Sequence, residues 1–217
     1  MKTRKHTILP LAALAGLALA TSTEAATMLT VDNADFAKIP LPLGPGGSSF
    51  TYTIDGWETD NPGNPWISHN YYAPDDPTPA SEFMVSHSDN IYQALGDTFQ
   101  SGAIIDFSMI AGVRTSTTDD SWRLFIYDAT AGSYATPLAE ATGTVAVDGA
   151  WHSINLEYTP DSAVNGHTIG IGFGAAGTTG LHYLYYDNAV VSVIPEPSSV
   201  ALLGLGGLGV LLRRRRD

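Results

Sequence analysis

Four aromatic side chains in a proline-rich stretch have the chemistry of a sugar-binding site. They are Trp57, Trp66, Tyr71 and Tyr72, and eight prolines lie between residues 40 and 79. Proline-rich segments form mostly loop, where aromatic rings are commonly exposed and where binding residues concentrate. An exposed ring beside hydrogen-bonding side chains is a common lining of small-ligand sites. We therefore predict a glycan-binding site on these side chains, with packing of the rings beneath the loop as the alternative.

Acidic residues near both ends of the central segment have the chemistry of a calcium site. Asp32 and Asp35 lie near its start, and Asp187 lies near its end. Ca²⁺ takes several oxygen ligands, and the termini of a domain often lie close together. These residues predict a structural calcium ion, although no stretch has the spacing of an EF-hand loop. The alternative is that the carboxylates are solvated or cap turns.

The chain lacks the common sequence motifs of catalysis. It contains no nucleophile elbow, no His-Glu-x-x-His and no phosphate-binding loop. Its histidines beyond residue 26 are scattered, with no pair at a spacing of two or four. We therefore predict a non-enzymatic protein without catalytic residues. A glycan-cleaving hydrolase, which would need two acids across a cleft, is a lesser alternative.

Charge is unevenly distributed along the 217 residues, whose formal net charge is −12. Residues 27–193 hold 19 acidic and 3 basic residues, a net charge of −16, because most basic residues lie at the two ends. Nucleic-acid binding needs clustered Lys and Arg on the folded part, so this function is excluded. The absence of Cys excludes disulfides and thiol catalysis. Arg123, flanked by apolar residues, is expected to pair with an acid such as Asp106 or Asp128, with contact to an anion or a glycan as the alternative.

The pattern of the central segment predicts β-strands. Residues alternate with a period of two, and no run shows a convincing helical period. The run 122–127 is apolar on both faces except at Arg123, which is typical of a central strand. The run 169–174 alternates Ile or Phe with Gly, and such a glycine face is either covered by bulky neighbours or left open for a ligand. We predict one all-β, two-sheet sandwich over residues 27–193.

Both ends of the chain predict signals for export. Residues 1–26 combine basic residues, a short apolar run and small residues, which predicts a secretory signal helix cleaved after Ala25 or Ala26. The segment 194–217 contains Pro195, Glu196 and Pro197, followed by an apolar run over 198–212. Its last basic residues are Arg213, Arg214, Arg215 and Arg216. We predict a short transmembrane helix over 198–212 with these arginines on the cytoplasmic side.

The segment 194–217 resembles the PEP-CTERM sorting signal of Gram-negative bacteria. The resemblance rests on Pro195, Glu196 and Pro197, the two serines after them, the apolar run and the arginine block. It implies recognition by an exosortase-type membrane protease near the Pro-Glu-Pro, and removal of the helix. It also implies transient anchoring in the membrane and then display at the cell surface or in the extracellular matrix, usually in organisms that produce exopolysaccharide.

Landmarks along the central segment resemble the galactose-binding-like jelly rolls of exported bacterial proteins and carbohydrate-binding modules. The landmarks are the segments 32–36, 54–57, 91–95, 122–127 and 185–190. The resemblance implies a jelly-roll fold. Many such modules hold a calcium ion through a carboxylate after the first Phe and an Asp in the closing strand. Asp187 matches the closing position, while Ala37 stands at the first position and Asp35 is its substitute.

The leading hypothesis is a surface-displayed, non-enzymatic jelly roll that interacts with exopolysaccharide or another glycan. Residues 27–193, called here the body, carry a net charge of −16. A neutral glycan or a calcium-bridged contact is therefore expected. The alternative is a purely structural matrix or coat protein without a specific ligand.

Overall fold

The computed structural model describes most of the central segment. Described are residues 25–36, 55–60, 66–69, 82–86, 90–113, 121–132, 134–176 and 184–195, with 66–69 and 82–86 described as backbone. Residues 1–24 of the predicted signal segment lie outside these ranges. Residues 196–217, with the predicted transmembrane helix over 198–212, also lie outside them. Among the residues described, there is no helix with the length and apolar character needed to cross a membrane.

The described residues form strands, turns and loops without a helix, which confirms the predicted all-β class. The strands are β1 (Thr27–Met28), β2 (Glu58–Thr59), β3 (Trp66–His69), β4 (Glu82–Ser86), β5 (Ile91–Thr98), β6 (Ile104–Val113), β7 (Ser121–Asp128), β8 (Ala139–Thr144), β9 (His152–Tyr158), β10 (Thr168–Ala175) and β11 (Leu184–Ile194).

The strands pair in the nested order of a jelly roll. β4 pairs with β11, β5 with β10, β6 with β9 and β7 with β8, all antiparallel. In the described part of the chain, the first sheet has the order β3-β4-β11-β6-β9, with β1 on β11, and the second has the order β2-β5-β10-β7-β8. Two Greek keys folded into two sheets give this pattern, so the predicted jelly-roll sandwich is confirmed.

The core lies between the two sheets and takes alternate residues from each strand. Fully burying a large apolar side chain stabilises the fold by roughly 1.5–3 kcal/mol. Tyr186 of β11 crosses the core, and its hydroxyl donates to the backbone oxygen of Gly174 on β10, at 2.5 Å. The largest fully buried side chains are Tyr185, Tyr186, Phe36, Phe99, Phe107, Phe125, Phe173, Ile91 and Ile105.

The glycine face of β10 is covered by aromatic rings of β7. A Cβ added to Gly170 would lie 2.3 Å from Tyr127, and one added to Gly172 would lie 2.1 Å from Phe125. The two rings fill the space that side chains at these glycines would occupy. The sequence left open whether bulky neighbours cover this glycine face or whether it is open to a ligand. The rings of Tyr127 and Phe125 cover it.

Candidate functional site

The outer side of the second sheet carries an aromatic cluster, called here the tyrosine face: Tyr92, Phe125, Tyr127 and Tyr134. Tyr134 stacks on Tyr92 with ring centroids 4.1 Å apart and 12° between the planes. Tyr92 also meets Tyr127 edge-on at 5.9 Å, and Tyr127 lies 6.2 Å from Phe125. Phe125 and Tyr127 are buried, whereas Tyr92 and Tyr134 are partly exposed. A ligand can therefore reach the cluster through these two rings.

The strands and one turn position these rings. Tyr92 stands opposite Gly172, and Tyr127 stands opposite Gly170, so that the absent side chains of β10 leave room for the rings. Tyr134 follows a turn closed by the bond from Gly132 N–H to Ala129 O, at 3.2 Å. Gly132 has a φ of 69°, a conformation that favours glycine.

A polar network borders the tyrosine face. Arg123 lies over the ring of Phe125, 4.8 Å from its centroid, and its guanidinium donates to Asn90 Oδ1 and to Glu140 Oε2, each at 2.7 Å. Asn90 donates from its backbone N–H and its side chain to the two carboxylate oxygens of Asp60, at 3.0 and 2.6 Å. The expected pairing of Arg123 with an acid is thus confirmed, but the acid is Glu140 and not one of the two examples named, Asp106 and Asp128.

Two phenols of the tyrosine face, those of Tyr92 and Tyr127, have a raised pKa. Burial, then Tyr134 and Glu58, raise the pKa of Tyr92 to about 12. Burial, then Glu58 and Tyr92, also raise the pKa of Tyr127 well above its ordinary value. Both phenols therefore keep their protons and can donate hydrogen bonds at neutral pH.

Trp57 lies in the core and does not offer a ring to a ligand. It is 6% exposed, and it packs edge-on against Phe173, with ring centroids 5.2 Å apart, and in a tilted arrangement against Phe36 at 5.6 Å. Its indole N–H donates to the backbone oxygen of Asn33, at 3.4 Å. The expected exposure of Trp57 is wrong, because its ring packs against Phe36 and Phe173 in the core.

The other three predicted glycan-binding residues are not tested. The backbone of Trp66 lies in β3, at the edge of the first sheet. Its side chain, and all of Tyr71 and Tyr72, lie outside the described residues. They remain a prediction.

The two acidic segments of the predicted calcium site are neighbours in space. Ala189 donates its backbone N–H to Ala34 O at 2.9 Å, which brings the turn holding Asp32 and Asp35 next to Asp187. However, the described residues contain no group of three or more His, Cys, Asp or Glu side chains that could share a metal ion. The calcium ion stays a prediction.

A polar cleft lies beside this turn. It has a volume of about 260 Å³ and is lined by Asp32, Asn33, Asp55 and Gly56. The side chain of Gln93 holds the backbone of Asp32 at one side of the cleft. Gln93 Oε1 accepts from Asp32 N–H at 2.9 Å, and Gln93 Nε2 donates to Asp32 O at 3.1 Å. The cleft is thus preformed, and its carboxylates suit a cation or a hydroxyl-rich ligand.

Two histidines pair with aspartates at the edges of the sandwich. His167 Nδ1 lies 2.7 Å from Asp128 Oδ2, and His152 Nε2 lies 3.0 Å from Asp148 Oδ1. Both pairs join loops to strands and suit a structural role.

The tyrosine face was not predicted from the sequence. The signal was present in the alternation of Arg123, Phe125 and Tyr127 on β7, facing the glycines of β10. The sequence does not show that Tyr92 and Tyr134 belong to the same cluster, because their contact depends on the strand order and on the path of the turn after β7.

Comparisons with known proteins give a motif and a fold. The PEP-CTERM protein-sorting motif matches residues 193–216. No curated protein matches the chain. A Stig cyclase, Fisc, from Fischerella sp. TAU is similar in structure with a TM-score of 0.59 at 15% identity, covering 79% of this chain and 99% of that one. That likeness shows the fold alone.

Carbohydrate-binding modules also occur among the structural neighbours. The CBM22-1 xylan-binding domain of Paenibacillus barcinonensis Xyn10C has a TM-score of 0.46 at 10% identity, covering 79% of this chain and 97% of that chain. A CBM4 structure has a TM-score of 0.47 at 13% identity, covering 76% and 99%. The chain thus carries a PEP-CTERM sorting motif behind a two-sheet jelly-roll body.

Proposed function

We propose that this is an exported, non-enzymatic protein that binds a glycan, such as an exopolysaccharide, at the tyrosine face. The observation that carries the proposal is the partly exposed Tyr92–Tyr134 pair beside Arg123, Asn90 and Glu140. Aromatic rings next to fixed hydrogen-bonding groups supply both the apolar surface and the polar contacts that a sugar ring requires.

The charge of the body restricts the class of glycan. Residues 27–193 carry a net charge of −16, which repels anionic polysaccharide. We therefore favour a neutral glycan, or an acidic one bridged by Ca²⁺ near Asp32, Asp35 and Asp187.

The sorting motif supports the location that we propose. Residues 1–26 would be the signal peptide, 27–193 the surface-exposed body, and 194–217 the sorting signal with its membrane helix over 198–212. An exosortase-type protease near Pro195, Glu196 and Pro197 would release the body to the surface or matrix of a Gram-negative bacterium.

A glycan array of neutral and acidic polysaccharides, probed with the purified protein with and without a calcium chelator, tests the binding proposal. We expect binding to neutral glycans in both conditions, or to acidic glycans only without chelator. No binding in either condition would overturn the proposal. Products of cleavage after incubation with a bound glycan would overturn its non-enzymatic part.

A structural matrix or coat protein is the second candidate. The burial of Trp57 favours it, because that burial removes a ring that a ligand could have used. This candidate predicts self-association without glycan. Light scattering of the purified protein over a range of concentrations and of Ca²⁺ distinguishes it from the first.

A further inference from the structure

The sorting motif begins inside the last strand of the body. The motif match starts at residue 193, whereas β11 runs to Ile194. Val193 pairs with Ile105 of β6 on one side and with Thr27 of β1 on the other. No spacer therefore separates the hydrogen-bonded ladder from Pro195, the first residue of the Pro-Glu-Pro.

β1 covers the edge of β11 beside this junction. Its two residues pair with residues 192–193, and Leu29 donates its backbone N–H to Val191 O at 2.9 Å. Both residues of β1 are exposed, and Met28 is 62% exposed. A short, exposed strand near a chain terminus opens at a low free-energy cost. β1 is thus a weak clamp on the end of β11.

A chain segment held in a ladder on both sides is a poor protease substrate. Cleavage then follows the population of the locally opened form, since the segment must leave its partners to enter an active site. We propose that detachment of residues 193–194 from the ladder with β1 and β6 limits cleavage of the sorting signal by the processing protease. In that cleavage one peptide bond breaks, and water or an amine accepts the acyl group.

The two export processing points are neighbours in this arrangement. β1 begins directly after the predicted cleavage site of the signal peptide at Ala26, and Thr27 lies opposite Val193. The mature N-terminus therefore contributes the clamp on the C-terminal cleavage site. The proposal rests on the proposed export and exosortase-type processing of the chain, and not on glycan binding.

A flexible insertion tests the proposal without changing the body. Gly-Ser-Gly-Ser is placed between Ile194 and Pro195 of the full chain, in a bacterium that carries an exosortase, and processing is followed by pulse-chase. The control has the same insertion after Ala146, in an exposed loop between β8 and β9. We expect the junction insertion to speed processing by about threefold or more, because opening is no longer required. An unchanged or slower rate would overturn the proposal.

A matched pair at Leu29 tests the clamp itself. Leu29→Pro removes the N–H that bonds to Val191, whereas Leu29→Ala keeps this donor and loses similar packing. Processing should be faster in the Pro variant than in the Ala variant. Equal rates would contradict the claim that opening of the β1–β11 pairing limits cleavage. If thermal melting shows that the Pro variant unfolds the body, the junction insertion decides alone.

Discussion

Tyr134 lies flat on Tyr92, with ring centroids 4.1 Å apart and 12° between the planes. This contact ties the turn after β7 to β5, across β10, and it gives the second sheet an aromatic outer layer. Each ring covers one face of the other, so that a ligand meets Tyr134 only at its edge or on the face turned away from Tyr92. Tyr134 is therefore the ring that a sugar would contact first.

Replacing Tyr134 should weaken glycan binding without unfolding the body. Tyr134→Ala removes the outer ring of the pair, and we expect the dissociation constant to rise about tenfold, since an aromatic contact contributes up to about 1.5 kcal/mol. Isothermal titration with a glycan selected on the array measures this. Tyr158→Ala is the control, because Tyr158 is also partly buried but packs on Phe99 at 6.1 Å, away from the tyrosine face. A similar loss in both variants would contradict the assignment.

Two glycine-to-alanine substitutions distinguish the stability cost of a clash with the aromatic rings over β10 from the ordinary effect of replacing a glycine in a strand. A Cβ at Gly172 would lie 2.1 Å from Phe125, whereas nothing lies within 4 Å of a Cβ at Gly96. We expect Gly172→Ala to reduce the free energy of unfolding by about 1–3 kcal/mol, the usual cost of overpacking. Gly96→Ala should be neutral or slightly stabilising. Urea denaturation of both variants measures the difference, and equal effects would argue against tight packing of Phe125 on β10.

Tyr92 should make stability fall at alkaline pH. Burial first, then Tyr134 and Glu58, raise its pKa from 10.0 to about 12. Between these values the folded state holds a proton that the unfolded chain releases, so the contribution is complete below pH 10 and lost as the pH rises toward 12. Urea denaturation across this window checks the slope. Tyr92→Phe should flatten it in part, and an unchanged slope would contradict the assignment.

The sequence predicted the fold far better than the site. The period of two, the turn signals and the landmarks near Asp187 were sufficient to predict a two-sheet jelly roll. A shift of one residue in the pairing of a strand would turn its whole apolar face to solvent, so the alternation strongly restricts the pairing. Trp57 was misplaced because exposure was inferred from neighbouring prolines, while its contacts with Phe36 and Phe173 join distant parts of the chain. The Tyr92–Tyr134 contact likewise depends on which strands are neighbours, which local patterns do not encode.

Asp128 should stabilise the protein at neutral pH and lose that effect in acid. Burial raises the pKa of Asp128, but hydrogen bonds from His167, Ala131 and Thr130 outweigh it and hold the pKa below 3.8. The ionised carboxylate only accepts, so His167 donates from Nδ1, at 2.7 Å. Since the folded-state pKa is lowered, the contribution is complete above the unfolded value and is lost as the pH falls through the folded value.

An isosteric pair of amide substitutions checks this linkage. Asp128→Asn keeps an acceptor for the backbone N–H groups but loses the charge that faces His167, so we expect it to cost about 1–3 kcal/mol at pH 7 and less in acid. Asp161→Asn is the control, because Asp161 is exposed and caps Ala163 N–H at 2.8 Å without a histidine. Its cost should stay within about 0.5 kcal/mol at either pH. If urea denaturation at pH 7 and pH 3 gave the two variants the same losses, the hydrogen bond between His167 and the ionised carboxylate of Asp128 would not contribute to stability.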